Sequence, residues 1–204
     1  CASASSGRTG IFLHSILRSW SALCVKPEAL TIGLLLVRGQ AMKNLLIVYY
    51  SYTGGTAQMV EAAAEAARQE DGTEVRVVRA EDCQPDDMLS ADGYIFSTPE
   101  NLAAIAGVMK AFFDRCYYPL LGRIEGRPYA AMICGGSDGE NAKVQLERIA
   151  TGWRLRKVID SLIICTHAQT QEQILAPKTI GESDRQHCAE TGATLSAGLA
   201  MGVF

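Results

Sequence analysis

The sequence predicts an α/β fold in which helices cover both faces of a doubly wound parallel sheet. Five short runs of β-branched and other apolar residues are separated by segments whose apolar residues recur at helical spacing. Parallel strands need crossover connections, and right-handed helical crossovers place helices on both faces of the sheet. The 204 residues, 48% of them hydrophobic, suffice for the core of one ordinary domain.

The opening strand, residues 45–50, ends abruptly, and a helix is predicted over residues 57–70. The loop between them consists of Ser51, Tyr52, Thr53, Gly54, Gly55 and Thr56. Backbone N–H groups at a helix N-terminus lack intrahelical acceptors, and the helix dipole adds partial positive charge. Glycines let the backbone close around an anion, and the hydroxyls add donors. The loop therefore predicts a phosphate site, although an ordinary strand-to-helix turn can have the same composition.

Two other nucleotide-binding patterns are excluded in this loop. A P-loop requires Gly-x-x-x-x-Gly-Lys-Ser/Thr, and the loop contains no lysine. The dinucleotide pattern Gly-x-Gly-x-x-Gly needs a different glycine spacing. A loop rich in hydroxyls and without a cation suits a single phosphate monoester that is held by neutral donors.

The remaining elements are predicted from apolar runs and from turn and capping residues. The predicted strands cover residues 74–78, 91–97, 129–134 and 157–165. Further helices are predicted over residues 104–116 and from residue 137 onward, and a last helix is predicted from about residue 179 to about residue 199. Ser137 with Glu140, and Thr179 with Glu182, match capping boxes that would open the last two helices.

Two further loops follow strands at the same predicted edge of the sheet. The loop after the third strand contains Thr98, Pro99, Glu100, Asn101 and Leu102. The loop after the fourth strand contains Gly135, Gly136 and Ser137. Ligands of doubly wound sheets bind at the carboxyl ends of the strands, so these loops are candidate site segments. Equally, the proline loop could only cap a helix, and the glycines could only serve the capping box.

Two of the loops resemble those of a known family. Residues 49–56 (Tyr-Tyr-Ser-Tyr-Thr-Gly-Gly-Thr) resemble the phosphate loop of the flavodoxin-like FMN proteins, which often have Asn where Gly55 stands. Thr98-Pro99, followed by Lys-x-Phe-x-Asp-Arg at residues 110–115, is similar to the flavin-facing segment of the flavodoxin-like NAD(P)H-dependent reductases. Those reductases often carry an aromatic residue and a glycine where Leu102 and Ala103 stand. The resemblance covers the fold of residues 43–204, but its specific motifs are confined to the first two loops.

The resemblance implies a five-stranded sheet of order 2-1-3-4-5, with FMN bound by the residues named above in the three loops. It implies that a hydride passes from NAD(P)H as co-substrate, through FMN, to a small-molecule acceptor such as a quinone or a flavin. The flavin itself carries this redox chemistry, so no catalytic side chain is predicted. Family members are often homo-dimers or tetramers, which makes such an assembly possible here.

Other functions remain open at this stage. The chain could be an FMN electron carrier, although such carriers are typically strongly acidic and stack aromatics on the ring, and Tyr52 is the best stacking candidate here. It could also be a flavodoxin-like interaction module without flavin, which the departures at Gly55 and at residues 102–104 would support. A Cys/His nucleophile built from Cys134 or Cys165 and His167 would lack a third, orienting group.

Composition excludes several classes of protein. The net charge of −3 indicates no nucleic-acid or anionic-membrane surface. The longest apolar run, residues 30–37, is too short to span a bilayer. Seven scattered cysteines and three distant histidines indicate neither a disulfide framework nor a metal site. A cytoplasmic protein is therefore expected.

The first 41 residues differ from the rest of the chain. They contain four basic residues and the single acidic residue Glu28, and Met42 then opens a segment typical of a flavodoxin-like N-terminus. We expect residues 1–41 to be an N-terminal extension outside the fold and residues 42–204 to be the FMN-binding domain. An organelle transit peptide is the alternative for this segment.

Overall fold

The computed structural model describes residues 41–204. The extension predicted for residues 1–41 therefore lies outside the described residues, apart from Ala41, and stays a prediction. Seven strands form one sheet in the described part of the chain. They are β1 (Lys43–Tyr49), β2 (Thr73–Arg79), β3 (Gly93–Asn101), β4 (Ala104–Ile105), β5 (Pro128–Gly135), β6 (Arg156–Lys157) and β7 (Leu162–Cys165).

The sheet runs in the order β2-β1-β3-β5-β6, and β7 also pairs with β5. All these pairings are parallel, while β4 folds back on β3 as an antiparallel partner. The order reverses between β1 and β3, so the loops after these two strands lie side by side. This confirms the flavodoxin-like doubly wound fold and its predicted strand order.

Helices cover the sheet on both faces. They are α1 (Gly55–Arg68), α2 (Pro85–Ser90), α3 (Gly107–Leu120), α4 (Glu140–Gly152), α5 (Gln171–Leu175) and α6 (Glu182–Met201). None of the helices among residues 41–204 is long and apolar enough to cross a membrane.

Each face of the sheet buries its own apolar cluster. On one face, Leu46 and Val48 join an aromatic group that includes Phe96 and Trp153. On the other face, Leu45 and Ile47 pack with apolar residues of α1 and α6. Successive side chains of a strand point to opposite faces, so a continuously apolar β1 serves both clusters.

Three predicted details are wrong. The fifth strand is split, because residues 158–161 leave the sheet between β6 and β7. The predicted helix at residue 104 begins only at Gly107, since Ala104 and Ile105 continue into the hairpin strand β4. The two predicted capping boxes do not form: the N-cap residues of α4 and α6 are Gly139 and Gly181, which have no side chain that could cap the helix.

Candidate functional site

The loop after β1 offers backbone donors at the positive end of α1. Gly54 adopts the left-handed conformation (φ 89°) that lets the chain turn into the helix. The backbone N–H groups of residues 52–56 donate to no acceptor within residues 41–204. Ser51 Oγ accepts a bond of 3.2 Å from the N–H of Ala57, so its own hydroxyl proton is free to donate. These groups together form an anion-binding turn.

Gly55 lies against the end of β5. A Cβ atom at this position would be 2.8 Å from the Cys134 sulfur and 3.3 Å from Lys178 Cβ. Position 55 therefore has no room for the asparagine that is common in the resembling loops. Burial raises the pKa of the Cys134 thiol to about 11, so the sulfur is a neutral packing group.

A segment beyond β7 holds the loop in place from the other side. Lys178 N–H donates to Thr53 O at 2.8 Å. The Gln58 amide donates to Lys178 O at 2.6 Å and accepts from Ile180 N–H at 3.0 Å. Sequence reasoning missed this segment, because it reads only as a long polar connection.

Lys178 also places a cation near the loop that was predicted to lack one. Its ammonium group donates to the carbonyls of Gln173, Ile174 and Ala176, at the C-terminal end of α5, over 2.6–2.8 Å. The three donor positions of this ammonium are thus used within the protein. Neutral donors still dominate the turn at residues 51–56.

The predicted second loop is a hairpin. β3 extends to Asn101 and pairs with Ala104, so that Leu102 and Ala103 form a two-residue turn. Both have positive φ (51° and 57°), as in a type I′ turn, although neither is glycine or asparagine. Helix α4 anchors the hairpin, since Asn141 Nδ2 donates to Ala103 O and Gln145 Oε1 accepts from Ile105 N–H at 2.9 Å.

The predicted third loop is stabilised by Asp138. Its carboxylate accepts from the N–H groups of Gly139 at 2.7 Å and Glu140 at 3.0 Å. These bonds keep the pKa of Asp138 below its usual range. Asp138 therefore takes the role at the start of α4 that the sequence assigned to Ser137, and Ser137 is left at the cavity wall.

The three loops enclose one cavity of about 800 Å³ at the carboxyl edge of the sheet. Twelve of the fourteen predicted site residues line it, all but Gly54 and Thr98. Thr98 is fully buried, and its hydroxyl accepts from Ala106 N–H at 3.2 Å, so it supports the hairpin. That the lining residues bind a cofactor stays a prediction.

Further residues outside the predicted set of binding residues line the cavity wall. They are Tyr50, Ala103, Cys134, Thr166, Ala168, Ile174, Leu175 and Lys178. Tyr50, Ala103 and Cys134 belong to segments that the sequence analysis singled out, and Thr166 directly follows a parallel strand whose carboxyl end lies at the same edge of the sheet. Helix α5 carried no such signal.

The cavity has two chemically different regions. The β1 loop supplies N–H and hydroxyl donors, whereas apolar side chains stand exposed at the mouth. Leu102 is fully exposed, Tyr52 is 68% exposed, and Ile174 and Leu175 are each more than half exposed. Such an arrangement suits a ligand with an anionic tail and a flat apolar body.

The half-buried Glu100 lies in the wall, and one of its two carboxyl oxygens has no partner in the described part of the chain. Oε1 of Glu100 is buried and has no hydrogen-bond partner among residues 41–204. Burial, and then the nearby charge of Asp138, raise the pKa of Glu100. Residues 41–204 contain no cluster of three or more His, Cys, Asp or Glu that could hold a metal ion.

Comparison with known proteins points to flavoproteins. The family model described as NADPH-dependent FMN reductase matches residues 42–169. A flavodoxin of Aquifex aeolicus is 36% identical over 110 residues, which are 54% of this chain and 60% of that protein. An NAD(P)H dehydrogenase (quinone) of Acidithiobacillus ferrooxidans is 34% identical over 94 residues, 36% of this chain and 47% of the relative. The chain thus spans about half the length of the relatives it matches.

Solved structures agree on the fold. An archaeal flavodoxin aligns with a TM-score of 0.62 at 17% identity and covers 76% of this chain and 98% of its own. An NADH:FMN oxidoreductase in its apo form aligns with a TM-score of 0.58 at 18% identity and covers 78% of this chain and 90% of its own. At this identity the likeness shows the fold alone.

Proposed function

Because the chain belongs to the NADPH-dependent FMN reductase family, we propose that it passes a hydride from NAD(P)H, through bound FMN, to a small acceptor such as a quinone or a flavin. The observation that carries the proposal is the cavity formed by the three loops, which joins an anion-binding turn to an exposed apolar mouth. Bound FMN supplies the redox chemistry, so the protein has to bind and orient the reactants.

The donor set of the β1 loop suits the FMN phosphate. Free N–H groups at residues 52–56 and the hydroxyls of Ser51, Thr53 and Thr56 surround the N-terminus of α1. The helix dipole adds attraction for an anion at this point. Gly55 and Cys134 leave this end without a bulky side chain.

The other two loops would hold the isoalloxazine ring. The hairpin of β3 and β4 and the loop after β5 face the same cavity. Their anchoring by Asn141, Gln145 and Asp138 fixes the walls before a ligand binds. A pre-formed slot of this kind lowers the entropic cost of binding a rigid ring.

The apolar mouth supports a reductase rather than a closed carrier site. Tyr52, Leu102, Ile174 and Leu175 are exposed there, and apolar rings of a nicotinamide or a quinone could pack against them. Neither Cys134 in the cavity wall nor Cys165 outside it has a role in this scheme, because burial raises the pKa of both thiols.

An electron carrier is the second candidate, because the Aquifex relative is named a flavodoxin. Steady-state turnover separates the two functions. With FMN-loaded protein, NADPH and excess benzoquinone without oxygen, a reductase consumes NADPH over many cycles, at a rate proportional to protein. A carrier consumes none without a partner reductase. An interaction module does not retain FMN through a desalting column at all. The acceptor, the NADH or NADPH preference, and assembly as a dimer or tetramer are further expectations from the family.

A further inference from the structure

Helix α5 stands at the cavity mouth without a hydrophobic anchor of its own. None of its residues, Gln171–Leu175, is buried. Its two apolar side chains, Ile174 and Leu175, nevertheless line the cavity, and more than half of each stays exposed. A helix this short is unstable in water by itself, so polar contacts from outside the helix have to hold α5 in place.

Lys178 provides the polar contact at the carboxyl end of α5. Its ammonium group donates to the carbonyl oxygens of Gln173 at 2.6 Å, Ile174 at 2.8 Å and Ala176 at 2.6 Å. The last carbonyls of a helix have no intrahelical partner, and a lysine side chain can satisfy them. At the amino end, Thr170 Oγ1 accepts from Gln173 N–H at 3.3 Å and gives α5 a second anchor.

The backbone of Lys178 is bound to the phosphate turn and its surroundings. Its N–H donates to Thr53 O at 2.8 Å, and its carbonyl accepts from the Gln58 amide at 2.6 Å. Lys178 therefore holds the anion-binding turn through its main chain and α5 through its side chain. Because a substitution changes the side chain alone, mutation can separate the two connections.

We infer that Lys178 is a positioning residue, which places α5 so that Ile174 and Leu175 contact an apolar acceptor such as a quinone. The inference rests on the proposed function, because it assigns the contact surface for the acceptor within that site. Apolar side chains that stand uncovered beside a ligand cavity favour a flat apolar ligand over a hydrated ion. Lys178 itself touches no reactant and acts through α5.

The first test measures kcat/KM for two acceptors, with the full 204-residue chain loaded with FMN and with saturating NADPH. Menadione is a flat apolar quinone that takes up two electrons and two protons to become a hydroquinone. Ferricyanide is a hydrated anion, and two ions take up one electron each, so the protons pass to water.

Three substitutions separate the side-chain role from a change in net charge. Lys178→Met removes the ammonium group and keeps an unbranched side chain, whereas Lys178→Arg keeps the charge and the donors. Lys43→Met, at the amino end of β1, removes the same charge from an exposed ion pair and is the control. Thermal unfolding verifies that every variant is folded.

We expect Lys178→Met to lower kcat/KM for menadione by about fivefold or more and to keep the ferricyanide value within about twofold of the wild type. Lys178→Arg should recover most of the menadione value, and Lys43→Met should match the wild type. FMN affinity, from titration of flavin fluorescence, should stay within about threefold in Lys178→Met, because its backbone bonds to the phosphate turn persist.

A double substitution tests whether Lys178 acts through α5. A chain with Ile174→Ser and Leu175→Ser lacks the apolar contacts, so its kcat/KM for menadione should already be low. Adding Lys178→Met to that chain should lower the value by less than about twofold, because the two changes remove the same interaction.

Limited proteolysis follows α5 without any flavin. Thermolysin cleaves before apolar residues such as Ile174 and Leu175, and only where the chain opens locally. In the flavin-free protein, cleavage at α5 should be about fivefold faster in Lys178→Met than in the wild type. Lys43→Met should be cleaved at the wild-type rate.

The outcomes distinguish the role of Lys178 from the proposed function. Equal losses for menadione and ferricyanide, a full further loss in the Ile174→Ser and Leu175→Ser chain, or unchanged cleavage at α5 would each overturn the role of Lys178 and leave the proposed function standing. If the folded wild-type chain binds no FMN, the proposed function fails, and the contact with the acceptor fails with it, whatever the proteolysis shows.

Discussion

The Cys134 thiol occupies the space that a side chain at position 55 would need. A Cβ atom on Gly55 would lie 2.8 Å from Cys134 Sγ, so the end of β5 and the first turn of α1 are fitted to each other. This contact explains why the phosphate loop carries a second glycine. It also links two segments that are far apart in sequence.

The contact predicts that Gly55→Ala destabilises the protein by about 1–3 kcal/mol and weakens FMN binding, because the new methyl group overpacks the turn. The Cys134→Ala background removes the closest obstacle, so Gly55→Ala should cost clearly less there. A double-mutant cycle of chemical denaturation measures the coupling. An equal cost in both backgrounds would show that Cys134 is not the obstacle.

The Thr53 hydroxyl is expected to donate to the phosphate. Thr53→Val keeps the shape of the side chain but removes this donor, so FMN should bind about tenfold more weakly. Thr53→Ser keeps the hydroxyl and should remain within about threefold of the wild type. Riboflavin has no phosphate, and its affinity should not distinguish Thr53→Val from the wild type. If riboflavin loses as much affinity as FMN, the hydroxyl does not act on the phosphate.

The hairpin tip combines a strained backbone at Leu102 and Ala103 with the exposed apolar side chain of Leu102. Two substitutions separate the effects of these two features. Ala103→Gly should relieve one left-handed residue and stabilise the protein by up to about 1 kcal/mol without changing kinetics. Leu102→Asn also suits the turn but removes the exposed apolar side chain, so it should raise KM for a quinone. Steady-state kinetics of both variants test this. An unchanged KM in Leu102→Asn would exclude Leu102 from acceptor binding.

The raised pKa of Glu100 predicts that the stability of the flavin-free protein depends on pH. Burial and Asp138 raise its pKa, so the folded state binds more protons than the unfolded state, in which the pKa is about 4.5. Its contribution is present in full below that value and is lost as the pH rises through the raised pKa. Asp138 titrates below this window, and the pKa of the neighbouring Cys165 thiol is raised, so that thiol stays neutral through it.

Glu100→Gln should therefore raise the Tm of the flavin-free protein at pH 7, and the gain should vanish near pH 4. Thermal unfolding across this pH range, with Glu74→Gln on the exposed surface of β2 as the control, provides the measurement. A gain that persists at low pH would assign the effect to something other than the titration of Glu100.

Much of the fold could be predicted because its signals are local. Local sequence patterns alone indicate the apolar strand β1, the Ser/Thr/Gly loop and the alanine-rich helix α1. The alternation of strands and helices then indicates a parallel sheet. The helix caps could not be predicted, because Asp138 and Ser137 offer equivalent side-chain acceptors one residue apart. The hairpin was missed, since Leu102 and Ala103 do not have the usual composition of a type I′ turn.

Site residues that directly follow a strand could be predicted. Site residues that reach the cavity only through long-range tertiary contacts could not. Ser51–Thr56 and the loop after β3 lie directly after strands at the switch point. Gln58 and Lys178 meet only through tertiary contacts of more than one hundred residues in separation. The unpartnered oxygen of Glu100 is likewise a property of its surroundings, which no sequence pattern encodes.

The most direct test of the account is anaerobic reduction of flavin bound to the full chain. The protein is mixed with FMN, desalted, and its visible spectrum is recorded before and after NADPH is added without oxygen. We predict a retained flavin band that bleaches within the mixing time. A retained band that NADPH leaves unchanged would contradict the reductase function, and a folded protein that retains no band and shows no FMN binding by titration would contradict the site itself.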